Sequence, residues 1–218
     1  MKQATGFKTD CPVVGLLPGS RMHEVDGLTP LLLDTARKLL TRESSIQFVL
    51  PVADPYLRGT IERLVQASGL AGSVRIENDG RTAIEVSDVV IVCSGTATLE
   101  AALMGIPMII IYRISRTTWL NVKLLKRAGL IESEVCGIPN LLAGSRIVPE
   151  LHQSEVTPEI LADQAWDILR DPQRQAQMRA SMRTIYTQLG EKGGTERVVH
   201  TILEKLAEVS RNHSDPVR

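Results

Sequence analysis

The 218 residues predict an α/β fold, a Rossmann-like parallel sheet with helices on both faces, closed by C-terminal helices. Three observations carry this. Strand-like and helix-like patterns alternate along the first half of the chain. Runs such as Val13-Val14-Gly15-Leu16-Leu17, Val89-Val90-Ile91-Val92-Cys93 and Met108 to Tyr112 are continuously apolar, as strands buried on both faces are. Two of these runs are followed at once by small and hydroxyl-bearing residues, Pro18-Gly19-Ser20-Arg21 and Ser94-Gly95-Thr96-Ala97. Such turns at the carboxyl ends of strands are where an open sheet gathers backbone amides and binds phosphate.

The elements follow in order. Residues 12–17 form a strand, and Leu28, Leu31, Leu32, Thr35 and Leu39 recur with helical period, predicting a helix over 24–41. Ile46 to Leu50 is a second strand, stopped by Pro51. Asp54-Pro55 opens a helix that runs to Ser68, because aspartate caps and proline suits the first helical position; Gly69 ends it. Val74 to Ile76 is a third strand, Asn78-Asp79-Gly80 a turn, and Arg81 to Val86 a short helix. The fourth strand, 89–93, leads into a helix over 97–104 closed by Gly105, and the fifth strand spans 108–112. A helix over 116–130 and an irregular stretch over 131–155 follow. Helices over 157–170, 173–189 and 195–210 complete the chain. The organisation expected is a lead-in (1–11), a nucleotide-binding sheet domain (12–171), closing helices (172–210) and a polar tail (211–218).

Composition excludes several functions. The 25 basic and 25 acidic residues cancel, so no global field favours nucleic acid or an anionic membrane. Aromatic residues are 3%, too few for a base-stacking surface, so no nucleic-acid partner is expected. Cys11, Cys93 and Cys136 are odd in number, widely spaced and without C-x-x-C, which reads as reduced thiols. The histidines form no H-E-x-x-H or i, i+4 pair, so no metal is expected. No apolar stretch approaches the length of a membrane span, and the N-terminus lacks a signal peptide's apolar core. A cytoplasmic location is expected.

The chemistry-bearing residues cluster at the two turns. Gly19 lets the backbone approach a diphosphate, with Ser20 beside it, and the planar fork of Arg21 suits phosphate oxygens. Pro-Gly-Ser is equally an ordinary turn. Ser94, Gly95 and Thr96 form either a hydroxyl-capped helix start or a phosphate seat, two roles that are compatible. Glu100, one turn on, faces a ribose diol or plain solvent. Tyr112 and Arg113 follow the fifth strand at the ligand-binding edge. Asn140 and Gln153 lie in the irregular stretch, where polar amides contact ligand or satisfy loop backbone. Residues 190–195 hold several glycines but lack Walker spacing, and read as a helix-to-helix turn capped by Thr195. Trp119, Leu120, Val122, Leu124 and Leu125 interleave with Lys123, Lys126 and Arg127. This is either a basic amphipathic helix on a membrane surface or a sheet-covering helix with a solvated basic face.

The strings Leu-Leu-Pro-Gly-Ser-Arg (16–21) followed by Glu24, and Ser-Gly-Thr-Ala-Thr-Leu-Glu (94–100), occur together with Pro107-Met108 and Tyr112-Arg113. Pro-Asn-Leu-Leu-Ala-Gly (139–144) and Val148-Pro149-Glu150-Leu151 with Gln153 complete a set that resembles the C-terminal half of the lipid-A-disaccharide synthase family. The resemblance spans about residues 12–160. It implies the donor-binding half of a GT-B glycosyltransferase. The expected reaction is an inverting transfer of 2,3-diacylglucosamine from UDP to 2,3-diacylglucosamine 1-phosphate (lipid X), without metal or cofactor. It places Arg21, Ser94, Gly95 and Thr96, with Gly19 and Ser20, at the diphosphate, Arg21 also stabilising the leaving group. Glu100 meets the ribose, and Tyr112, Arg113, Asn140 and Gln153 are donor-sugar candidates. The family's N-terminal acceptor domain, with the general base, is expected to be missing, so the base is unassigned and the chain alone inactive. The partners implied are UDP-diacylglucosamine, lipid X, an N-terminal domain in trans or a second copy, and the cytoplasmic face of the inner membrane through 116–130. A stand-alone UDP-sugar binding or regulatory module and a relative acting on another UDP-sugar are the alternatives. Rescue of disaccharide synthesis by an added N-terminal domain, binding without rescue, and use of an unacylated UDP-sugar distinguish the three.

Overall fold

Six parallel strands lie in the order β3-β2-β1-β4-β5-β6 in a computed structural model, which describes residues 2–113 and 135–189 and positions 119, 127, 199 and 201–205. The strands are β1 (Val13–Leu17), β2 (Gln47–Pro51), β3 (Val74–Glu77), β4 (Val89–Cys93), β5 (Met108–Tyr112) and β6 (Glu150–His152). The three apolar runs occupy the middle, where both faces are covered: every residue of β1 is buried, as are all but the last of β4 and β5. The mixed sequences Val74-Arg-Ile-Glu77 and Glu150-Leu-His152 form the two edges. Gly15 is required by this packing. A Cβ there would lie 2.7 Å from both Ser87 Oγ and Val90 Cγ1.

Helices α1 (Met22–Arg42), α2 (Arg58–Ala67), α3 (Gly80–Glu85) and α4 (Thr96–Leu103) fill the crossovers, followed by α5 (Ile138–Ala143), α6 (Pro158–Arg170) and α7 (Pro172–Gln188). Helix α1 packs on α2 and α6, whereas α4 packs on α3 and α5, giving the two covering layers. Lys38–Glu159 (2.8 Å) and Arg42–Asp163 tie α1 to α6. The main core runs through Leu16, Leu32, Phe48, Ile91, Ile109 and Leu161. Each such fully buried side chain contributes roughly 2 kcal/mol. Alternate residues of the same strands face a second cluster, Phe7, Val13, Val49, Ala83 and Val86. The lead-in is pinned to this end: Lys2 Nζ lies 2.6 Å from Asp88 Oδ2, which also accepts from Val13 N.

Three local readings are corrected. The stretch 131–155 is not irregular where it is described: it contains α5 and the edge strand β6. The segment after Asp54 starts as a 3-10 turn, Pro55–Leu57, before α2. Asp79 and Gly80 do not form a free turn; Asp79 caps α3 by accepting from the Arg81 and Thr82 amides. The first compact unit ends at Ile185, with Met178, Met182 and Ile185 of α7 in the main core. In the second unit, 186–218, positions 199 and 201–205 are helical, with Val199, Ile202 and Leu203 exposed. The reading of 190–195, and that of 116–130 apart from helical positions 119 and 127, lie outside the described residues.

Candidate nucleotide site

The strand order reverses between β1 and β4, since β1 runs on to β2 on one side while β4 lies on the other. The crevice outside such a switch point is the ligand position of open α/β sheets. Here it is a cleft of about 540 Å³. All seven residues expected at the nucleotide, Gly19, Ser20, Arg21, Ser94, Gly95, Thr96 and Glu100, line it. Pro51, Ala53, Asp79, Gly80 and Arg81, from the ends of β2 and β3, complete the wall. Sequence reasoning missed this group. The signal was present: each follows a strand whose carboxyl end must reach the same sheet edge.

The two turns are built differently. Glu24, one turn into α1, folds back so that its Oε2 accepts from Ser20 N (3.0 Å) and Arg21 N (3.1 Å), while Oε1 meets Arg21 Nη1 (3.3 Å). Gly19 makes this closure sterically permissible. Its φ is +116°, and a Cβ would stand 2.3 Å from Glu24 Oε2. The Arg21 side chain stays largely exposed to the cleft.

No side chain caps α4. Ser94 Oγ donates instead to the Cys136 carbonyl (3.4 Å), and Thr98 Oγ1 to the Gly95 carbonyl (2.6 Å). The hydroxyl-cap reading of this turn is therefore corrected. At the start of α4, Thr96 and Ala97 line the cleft with the helix's positive end behind them, while the Thr98 amide donates to the Gly95 carbonyl. A Cβ on Gly95 would meet nothing nearer than the Cys93 carbonyl at 4.0 Å. Glu100 sits one helical turn after Thr96 on the same face, exposed. Burial pushes the Cys93 thiol up to about 12, with Glu24 adding to and Arg21 opposing that rise, so it stays protonated behind the cleft.

The four donor-sugar candidates do not join this wall. Tyr112 is half-buried at the end of β5, its ring edge-on to His152 at 6.1 Å, and burial raises its hydroxyl above the usual range. Arg113 is exposed beside it. Gln153 follows β6 at the same sheet edge with a left-handed backbone, φ +51°. Asn140 is corrected outright. It is fully buried, and all four hydrogen-bonding positions of its amide are used within the protein. Nδ2 donates to the Val148 carbonyl (3.1 Å) and Glu150 Oε2 (2.9 Å), and Oδ1 accepts from the Ile147 and Val148 amides.

Glu150, which the sequence did not single out, is the centre of that network. Its buried carboxylate accepts from the Cys136 and Gly137 amides, from Asn140, and lies 2.8 Å from His152 Nε2. Burial alone would raise its carboxyl. The bonds from Asn140, Cys136, His152 and Gly137 outweigh that and hold it below the usual glutamate range.

Fold and cleft together define a Rossmann-like α/β module with an open crevice at its switch point, a fold shared with solved glycosyltransferases. The spinosyn rhamnosyltransferase SpnG superposes with a TM-score of 0.56 at 17% identity, over 90% of this chain and 46% of its own. The C-terminal CMP-Kdo binding domain of WaaA from Acinetobacter baumannii gives 0.54 at 9%, over 82% and 90%. At these identities the likeness concerns fold alone. Sequence goes further: the family model for lipid-A-disaccharide synthetase matches residues 1–202. Lipid-A-disaccharide synthases of Geobacter sulfurreducens and Geobacter metallireducens are 41% and 40% identical over 89% and 93% of this chain. The chain belongs to the lipid-A-disaccharide synthetase family. It spans about half the length of these relatives, 49% and 51%.

Proposed function

We propose that this chain is the donor half of an inverting glycosyltransferase that joins UDP-2,3-diacylglucosamine to lipid X and releases UDP. The observation that carries the reading is the uncapped start of α4, opening into a switch-point cleft with Arg21 opposite. The diphosphate would lie on the first-turn amides of α4, with Arg21 supplying positive charge and Glu100 accepting from the ribose hydroxyls. Tyr112, Arg113 and Gln153, at the ends of β5 and β6 on the same sheet edge, would meet the sugar.

In the transfer, the acceptor's 6-hydroxyl attacks the donor's anomeric carbon, and the bond from that carbon to the diphosphate oxygen breaks. The electron pair leaves with UDP, the proton passes to a base, and the anomeric centre inverts. Donors fixed where negative charge grows lower the barrier. Arg21 and the α4 amides fill that role without a metal or cofactor. The base and acceptor site belong to the half of the two-domain fold that these residues do not represent. By itself the chain would bind donor and not turn it over. The reaction would take place at the cytoplasmic face of the inner membrane, where both lipid substrates reside. Among the described residues no helix is long and apolar enough to cross a membrane.

The test is a calorimetric titration of UDP into the chain and into Glu100→Ala and Arg21→Ala. Saturable binding weakened about tenfold by each is expected, the value of one lost polar contact. A folded chain that binds no UDP would refute the donor-site reading. Supplying an N-terminal half in trans should then restore disaccharide synthesis; binding without restoration would mark a UDP-sugar binding module instead.

A further inference from the structure

Glu150 and His152 alternate on β6 and so share one face of the strand, and Cys136, two residues before α5, is brought against them. One donor atom from each, the Cys136 Sγ, a Glu150 carboxylate oxygen and a His152 ring nitrogen, lie within 4.8 Å of one another. From this we propose a binding site for one zinc-class divalent cation, separate from the nucleotide cleft, none of whose lining residues it includes.

The donor set is the argument. Thiolate, imidazole and carboxylate are zinc's ligands, and three protein ligands leave a fourth position for water. Bond lengths of about 2.0–2.3 Å put tetrahedral ligand atoms roughly 3.3–3.7 Å apart. From 4.8 Å the triangle must therefore contract by about 1.5 Å at most, and the exposed Cys136 is the member with room to move. The other two are held. The Glu150 side chain is fully buried and that of His152 is 13% exposed. Asn140 and the Cys136 and Gly137 amides fix the Glu150 carboxylate, as outer-shell partners fix metal ligands. On entry, the cation takes the place of the hydrogen bond between Glu150 and His152 and gains the thiolate. The Cys136 side supplies an open path from solvent. A bound cation would lock the segment before α5 to β6, and the Ser94–Cys136 hydrogen bond carries that constraint to the turn before α4.

The probe is cobalt(II), then zinc, titrated into the full chain after chelator treatment. A thiolate-to-cobalt charge-transfer band saturating at one cobalt per chain, and bleached by zinc, is expected. Cys136→Ser should abolish the band, and His152→Ala should weaken cobalt affinity at least tenfold. Cys93→Ser and Cys11→Ser should leave it intact, and circular dichroism checks that each variant folds. No saturable band in the parent chain overturns the proposal. So does a band that survives Cys136→Ser, or one indifferent to His152→Ala, which would report a surface thiol acting alone.

Discussion

The turns before α1 and α5 are each filled by one of the protein's own glutamates, and the turn before α4 is not. The amides of Ser20 and Arg21 hold Glu24, and those of Cys136 and Gly137 hold Glu150. The first-turn amides of α4 receive no capping side chain. Consecutive amides at a helix start form an anion seat whatever the sequence. The difference lies in whether evolution left a glutamate within reach. A filled seat braces a loop; an open seat beside a cleft is ready for a ligand's phosphate.

Emptying the more buried seat should have the largest effect. In Glu150→Gln an amide nitrogen replaces one carboxylate oxygen and faces donors that already surround the site. About 3 kcal/mol of stability should be lost in urea denaturation. The parent should also carry an acid signature. Because the Glu150 carboxyl lies below its ordinary value in the folded chain, its stabilisation is complete above the unfolded value of 4.5 and fades as pH falls through the folded value. Glu150→Gln should flatten that acid limb. An unchanged limb would show that the seat is not what holds this edge.

Next comes the open seat. Gly95 has extended backbone, and nothing stands in the way of an added methyl. Gly95→Ala should therefore melt within about 0.5 kcal/mol of the parent. The methyl would intrude on the space proposed for the diphosphate, so UDP affinity should drop about 100-fold, close to 2.7 kcal/mol. Equal UDP affinity would mean that the nucleotide lies elsewhere. Gly19→Ala reverses the pattern. At φ +116°, with Glu24 in the way, it should cost about 2 kcal/mol of stability, seen as a lowered urea midpoint.

This contrast also separates what the sequence reveals from what it hides. The apolar runs of β1, β4 and β5 and their small-residue turns announce the sheet and its switch-point cleft, because local periodicity and turn chemistry decide them. The bonds of Asn140 and Glu150 cannot be read that way. Apart from the Glu150–His152 contact, they join residues 7 to 14 positions apart through an edge strand of three residues, too short to show a period. Asn140 thus looks like a ligand residue on a loop and turns out to be a buried brace. The wall formed by Asp79 to Arg81 escapes for a related reason: Asn-Asp-Gly signals a turn, and only the position of β3 in the sheet brings it to the cleft.

Glu24→Gln gives the smallest effect and the finest distinction. The amide oxygen can still accept from Ser20 and Arg21, but the charge that strengthens those bonds is gone, and an amide NH2 now faces the Arg21 guanidinium. About 1 kcal/mol should be lost on thermal denaturation. On the proposed donor-site reading the diphosphate would rest at the start of α4 with Arg21 still in the cleft, so UDP affinity should stay within about threefold. A tenfold gain would carry a different message. It would mean that Glu24 competes with the diphosphate for the Ser20 and Arg21 amides, so that its seat is a gate the nucleotide must open and not a brace beside the site.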